Sequence, residues 1–207
     1  VIVIGLDPGF ANLGWSILRV PDSGPLTPTF VDAGVIRTTP AHKKRKIVAS
    51  DDLVVRTRQL RHGLVSLTVL EVPEDGFARD RRGVLSRRSA IEVAGLVASE
   101  EMAWGFKGIR AHRQLGMAWG VIVSACEEHG KGLVTVSPGD LKQTLTGSRS
   151  SSKEAVAEAL ALRPGFETFA AHLLTFPAGK REHVADATAA ALVALETDAA
   201  KFFRGRA

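Results

Sequence analysis

The segment Val1-Ile2-Val3-Ile4-Gly5-Leu6 is short, β-branched and apolar enough to be a buried strand, and it breaks abruptly at Asp7-Pro8-Gly9. Residues 14–20 (GWSILRV) and 29–38 (TFVDAGVIRT) read as two further strands reached through glycine and proline turns, so an antiparallel meander is expected at this end. From Asp51 to Val72, the apolar positions Leu53, Val54, Leu60, Leu64, Leu67 and Leu70 fit one broad helical stripe. Pro73 to Arg88 is arginine-rich, lacks periodicity and reads as an exposed excursion. Residues 93–99 (VAGLVAS) form the next expected strand, ending at Glu100 and Glu101, and residues 109–130 a long helix closed by Gly130. After a strand at 132–138, Ser137 and Pro138 have the chemistry of a cap and first turn for a short helix. Ser151 to Glu154 has capping-box spacing ahead of a helix at 153–162, and an alanine-rich helix is expected from Glu182 to Phe203. Strands first, then strands alternating with helices, predict a mixed α/β sheet.

A chain of 207 residues can bury one substantial core, and with no linker or internal repeat one domain is expected. The single cysteine, Cys126, cannot form an internal disulfide, and no stretch has the pattern of a signal peptide or the length of a membrane span. The expected location is the reducing cytoplasm, with no membrane partner. The formal charge is +5 and the pI near 9.7, with positive residues gathered at 42–46 (HKKRK), 79–88 (RDRRGVLSRR) and 107–113 (KGIRAHR). Any one cluster reads equally well as a solvated loop; three on a basic chain point to a polyanion, and to nucleic acid first.

Asp7 follows the first strand, where open α/β sheets place ligands, although Asp-Pro-Gly is also ordinary turn chemistry. Glu100 and Glu101 end another strand, and one of them meets Asp7 if the two strands are neighbours. His183 and Asp186 are three apart on an expected helix and so share a face, among alanines that let the helix lie close to a sheet. Singly each residue suits a surface or a cap. Jointly they suit an oxygen-rich divalent cation site, since Mg²⁺ prefers hard oxygen ligands. Two such ions about 4 Å apart can hold an attacking water and a leaving oxygen on opposite sides of a phosphodiester. A structural zinc site is disfavoured because there is no cysteine pair. Gly147 to Lys153 is not a Walker loop: Ser152 stands where glycine is required and Glu154 where Ser or Thr would bind Mg²⁺.

The segments GLDPGFANLGW (5–15), the strand-end SEE, QLGMAWGV, SPGDLKQTLTGSRSSSKEAV and HVADATAAAL resemble, in order and rough spacing, the RuvC family of Holliday junction resolvases. The resemblance covers most of the chain and leaves the stretch near residues 73–90 as a basic insertion in a single domain, 1–207. It implies an RNase H-like (retroviral integrase superfamily) mixed five-stranded sheet flanked by helices. It also implies a homodimer that resolves four-way or related branched DNA by paired symmetric nicks, with branch-migration machinery as a further partner. The implied cofactor is Mg²⁺, two ions per site, with Mn²⁺ as a substitute. By motif position Asp7, Glu100, His183 and Asp186 are the implied catalytic and metal-binding residues. The strand-end motif favours Glu100 as the second acid, while counting back without gaps from Leu115 and Gly116 favours Glu101; Glu100 is chosen. Many relatives carry aspartate where His183 stands, and histidine leaves the site one negative charge poorer.

Lys142 and Lys153 fall where the family has lysines near the scissile phosphate; the plainer reading is exposed helix lysines. Phe106 lies close to a family aromatic that contacts bases at the junction centre, beside Lys107 and Arg110 as DNA-binding candidates. An ordinary core phenylalanine explains Phe106 equally well, and the usual family asparagine is missing here. The helix with Leu115, Gly116, Ala118 and Gly120 is expected to form the dimer seam, or else to pack internally. Two other classes compete: a non-catalytic branched-DNA binder on the same fold, and an actin-like ATPase, disfavoured because this chain has room for only one lobe.

Overall fold

The computed structural model describes residues 1–22, 27–40, 49–70, 87–101 and 108–197. The first strand, β1 (Ile2–Asp7), pairs antiparallel with β2 (Asn12–Arg19), which pairs antiparallel with β3 (Thr29–Arg37). This is the expected meander. Helix α1 (Ala49–Val65) follows, then a short antiparallel ribbon of β4 (Thr68–Leu70) and β5 (Arg87–Ser89). The expected helix to Val72 therefore stops at Val65. Leu67 and Thr68-Val69-Leu70 leave the helical stripe because β-branched Thr68 and Val69 join a ladder with β5. Val54, expected on the buried stripe, is 47% exposed, whereas Leu60 and Leu64 are fully buried. The end of the expected arginine-rich excursion, Arg87 and Arg88, is instead strand, held by its ladder with β4, and residues 73–86 lie outside the described residues.

One turn of helix, α2 (Ala90–Val93), leads into β6 (Ala94–Glu100), and α3 (Ile109–Glu128) ends at Gly130, whose φ of 62° is the left-handed value expected of a helix-terminating glycine. Strand β7 (Leu133–Val136) precedes α4 (Pro138–Thr146), where Ser137 Oγ accepts from the Asp140 N–H and Pro138 opens the first turn, as expected. Helix α5 (Lys153–Ala161) is capped one residue later than the capping-box spacing suggests, by Ser152, whose Oγ accepts from the Ala155 N–H. A short α6 (Phe169–Leu174), absent from the sequence reading, precedes α7 (Ala178–Ala194), which starts four residues earlier than expected; residues 198–203 of its expected extent lie outside the described residues.

The five long strands form one mixed sheet in the order β3-β2-β1-β6-β7, with β1, β6 and β7 parallel. This is the five-stranded sheet expected. Alternation sorts each strand between two cores. Val3, Leu18, Leu96 and Ala98 pack with α7, α4 and α5 on one face. Ile4, Leu6, Ile17 and Val97 pack with α1 and α3 on the other. Among the described residues no helix is long and apolar enough to cross a membrane.

Candidate active site

Two strands and one helix converge at a single point. Gly5 pairs with Ala98 and Leu6 with Ser99 across the parallel β1–β6 ladder, so the next residues along, Asp7 and Glu100, leave their strands side by side. Phase decides which way they face. Asp7 is in step with Val3 and Gly5, and Glu100 with Leu96 and Ala98, which places both carboxylates on the side of α7. Glu101 is out of step and exposed, and its backbone N–H donates to the Val136 carbonyl of β7.

Helix α7 reaches these acids because nothing stands between its backbone and the sheet. A Cβ on Gly5 would lie 1.9 Å from the Ala187 carbonyl oxygen, and one on Gly14 would lie 2.1 Å from the His183 carbonyl oxygen. The helix face itself is small, with Ala187, Ala190 and Ala191 fully buried. Pressed against β1 and β2 in this way, α7 places the His183 ring with Nδ1 2.6 Å from Asp7 Oδ2. In the neutral ring, Nδ1–H donating to the Asp7 carboxylate leaves Nε2 as the nitrogen with the lone pair. One turn earlier, the Lys180 ammonium donates to Asn12 Oδ1.

The turn after Asp7 is held from below. Arg56, 7% exposed, stacks its guanidinium 4.5 Å over the Phe10 ring and donates from Nε to Thr38 Oγ1 at 2.8 Å. The Thr38 hydroxyl in turn donates to the Phe10 carbonyl at 2.7 Å. Gly9 is required here by close approach, since a Cβ would sit 2.0 Å from the Asn12 carbonyl oxygen. The turn reading thus holds for Pro8 and Gly9, while the Asp7 side chain reaches across to α7.

The resulting cleft, about 420 Å³, is lined by Asp7, Glu100, Lys153, Glu182, His183 and Asp186, with Pro8 to Ala11, Glu101 and the α3 residues Ala111, His112, Gln114 and Leu115 around them. Lys153 Nζ donates to Asp186 Oδ2 at 2.9 Å and lies 3.1 Å from Glu182 Oε2. Burial pushes the Glu100 carboxyl up to about 8, reinforced by the negative charges of Asp7 and Asp186 and only partly offset by Lys153. Asp186 is raised for the same reasons, burial first and then Asp7, against the lowering pull of Lys153. Burial alone would lower Lys153, but its bonds to Asp186 and Glu182 outweigh this and hold it above the usual ammonium range.

Among the described residues no three acidic, histidine or cysteine side chains stand arranged to hold an ion: Asp7 engages His183 and Asp186 engages Lys153. The donor chemistry nevertheless fits a hard divalent cation. Burial and the neighbouring charges of Asp7 and Asp186 raise Glu100 well above the usual carboxylate range, and one cation, the Lys153 ammonium, already sits on Asp186.

Of the sequence candidates, Asp7, Glu100, Lys153, His183 and Asp186 are brought together. Arg110 is exposed in the first turn of α3, next to Ala111 and His112 of the cleft wall. Lys142, half-buried on α4, is not among the lining residues. Phe106 and Lys107 lie outside the described residues, as do residues 42–46. Glu182 and His112 were missed; Glu182 stands four before Asp186, a spacing that marks a shared helical face. The candidate seam on α3 divides: Ala118 is fully buried in the core, Leu115 lines the cleft, and Gly116 and Gly120 face open space.

No protein-family model matches the chain. It is 29% identical over 171 residues, 81% of its length and 82% of the relative's, to the crossover junction endodeoxyribonuclease RuvC of Nitratidesulfovibrio vulgaris. It is 28% identical over 190 residues, 92% and 85% of the two chains, to that of Gloeobacter violaceus. Among solved structures, Thermus thermophilus RuvC matches with a TM-score of 0.56 at 22% identity, covering 100% of this chain and 96% of the other. The same protein in complex with Holliday junction substrate matches at 0.57, covering 93% and 91%. Over most of its length this chain is similar in sequence to RuvC crossover junction endodeoxyribonucleases, and it shares the fold of Thermus thermophilus RuvC.

Proposed function

We propose that this chain is a Mg²⁺-dependent, structure-selective endonuclease that resolves Holliday junctions or related branched DNA by paired, symmetric nicks. The observation that carries the reading is the convergence of Asp7, Glu100, His183 and Asp186, from three separate segments, in one cleft beside Lys153. Asp7, Glu100 and Asp186 would hold the cation through oxygen, and His183 through Nε2, with Mn²⁺ as a substitute. When bound, Mg²⁺ stabilises charge on the phosphodiester and makes water a stronger nucleophile.

The residues of the chain do the rest. Loss of the Glu100 proton turns its carboxyl into an anionic ligand, and a cation favours that loss. Asp7, bonded to Nδ1, orients the His183 ring and leaves Nε2 as the ligand atom. Lys153 presents positive charge to a phosphate at the cleft mouth, and Arg110 and Lys142 are proposed backbone contacts outside it. Phe106 and Lys107 are carried forward as contacts near the junction centre. One sheet serving both cores is consistent with a single domain. A homodimer would give two sites related by a twofold axis, suited to two symmetry-related strands. The open α3 face of Gly116, Gly120 and Val123, which is 42% exposed, supports a seam there.

A second reading, a branched-DNA binder without cleavage, is favoured by one observation: Asp7 and Asp186 are already engaged by His183 and Lys153. The two separate on a labelled mobile four-way junction incubated with Mg²⁺ or Mn²⁺. The nuclease makes paired nicks, and Asp7→Asn retains junction binding while losing them. Tight binding by the unaltered protein without nicks establishes the binder instead. Running four-way, three-way and flap DNA in the same assay defines the substrate class.

A further inference from the structure

Lys153 is the first residue of α5, and the Ser152 cap fixes where that helix begins. Its ammonium bridges two carboxylates of α7, Asp186 at 2.9 Å and Glu182 at 3.1 Å. Those acids stand four residues apart on one face, about 6 Å along the helix axis. They differ in depth. Asp186 is 15% exposed at the cleft floor, whereas Glu182 is 43% exposed at the rim.

This difference gives the two carboxylates different fates. Asp186 belongs to the proposed cation-binding set, and when it gives its oxygens to a cation, the ammonium loses its inner partner and is repelled from the floor. Glu182, farther out, remains. A lysine left without any partner at that moment would sweep the rotamers of a long, flexible side chain. A lysine held at the rim by one carboxylate keeps two of its three N–H donors for a phosphate.

We infer that Glu182 is a positioning residue for Lys153: it retains the ammonium at the cleft mouth once Asp186 is occupied by a divalent cation, and so aims it at the phosphate. The inference rests on the nuclease reading above. Glu182 acts here through Lys153 and does not touch the reacting atoms. A half-exposed ion pair contributes little to stability, so its removal leaves the fold in place.

The test is a cycle of Glu182→Gln, Lys153→Ala and the double variant in the full-length protein, scored for kcat, KM and the Mg²⁺ concentration giving half-maximal nicking. Glu182→Gln is expected to lower kcat about tenfold, with KM and Mg²⁺ half-saturation each within about twofold of the unaltered protein. In the Lys153→Ala background the same change is expected to add no further loss. Losses that multiply in the double variant overturn the inference, as does an unchanged kcat. A raised Mg²⁺ requirement in Glu182→Gln also overturns it, because Glu182 would then be a ligand. A second readout needs no turnover: in ¹⁵N spectra of the Mg²⁺-loaded protein, the Lys153 ammonium should be protected from exchange and should lose protection in Glu182→Gln. Protection that survives the substitution is the contrary result. A protein that binds junctions without nicking defeats the nuclease reading, and the ammonium spectrum then decides the role of Glu182 by itself.

Discussion

Gly14→Ala tests how closely the site depends on the seating of α7. The added Cβ would lie 2.1 Å from the His183 carbonyl oxygen, 2.7 Å from its carbonyl carbon and 3.1 Å from its Cβ. All but the last are backbone atoms that no rotamer change can move aside. Restoring a separation of 3.0 Å, which Cβ atoms essentially never undercut, demands a shift of about 0.9 Å between β2 and α7 at residue 183. The His183–Asp7 bond is 2.6 Å, so an equal displacement along it reaches the limit of a hydrogen bond. Asp186, three residues on, moves with the same helix. Misplacement by about 1 Å commonly lowers turnover by a factor of about 100, and overpacking of this kind destabilises by about 1–3 kcal/mol. The expected result is a protein that melts several degrees lower, binds four-way DNA and nicks it about a hundredfold more slowly in Mg²⁺. Gly179→Ala is the control: its Cβ meets nothing within 4 Å, so the variant should melt no lower and nick as fast as the unaltered protein. Wild-type melting and nicking in Gly14→Ala would refute the argument that this glycine seats the site.

The choice between neighbouring acids yields a sharper contrast: Glu100→Ala should abolish nicking and Glu101→Ala should leave most of it, and full nicking by Glu100→Ala with loss in Glu101→Ala would reverse the assignment. The titration of Glu100 has a sign in stability as well. Its folded value, about 8, lies above the ordinary 4.5, so its favourable contribution is complete below that ordinary value and is lost as pH rises through the folded one. Thermal melts of the metal-free protein should therefore fall as pH rises between 4.5 and about 8, with Asp186 acting in the same direction, and Glu100→Gln should flatten the profile. A melting temperature that climbs across this range, or a slope unaltered by Glu100→Gln, would contradict the burial of Glu100 beside Asp7 and Asp186.

Local chemistry made much of the fold readable in advance. The meander announced itself through apolar runs broken at glycine and proline, and Ser137-Pro138 and Gly130 act as the cap and terminator that their residue types suggest. The errors have a common cause. Thr68 to Leu70 continues a helical spacing, but its hydrogen-bonding partner, Arg87–Ser89, lies far along the chain. Helix α6 is too short to display a period, and His172 Nε2 and the Phe30–Phe169 ring contact anchor it to β3 across more than a hundred residues. Val54 fits a stripe by spacing alone, yet lies exposed, while Leu60 and Leu64 of the same helix are buried where α1 packs on α3 and β3.

The candidate site divides in the same way. Asp7, His183 and Asp186 could be named from sequence because a strand-end turn, a helical spacing of three and the resemblance to a family all mark them. Which glutamate joins them depends on the phase of β6 against β1, a property of strand pairing that appears only once Gly5 lies opposite Ala98 and Leu6 opposite Ser99. Glu182 depends on where the first turn of α5 meets the face of α7. Residue types and local elements are legible along the chain, since propensity, capping and alternation act within a few residues. Which side chains share a cleft emerges only with tertiary packing, because register and the glycine-seated approach of α7 join groups as far apart as Asp7 and Asp186, and the burial and charge crowding that raise Glu100 exist only after that assembly.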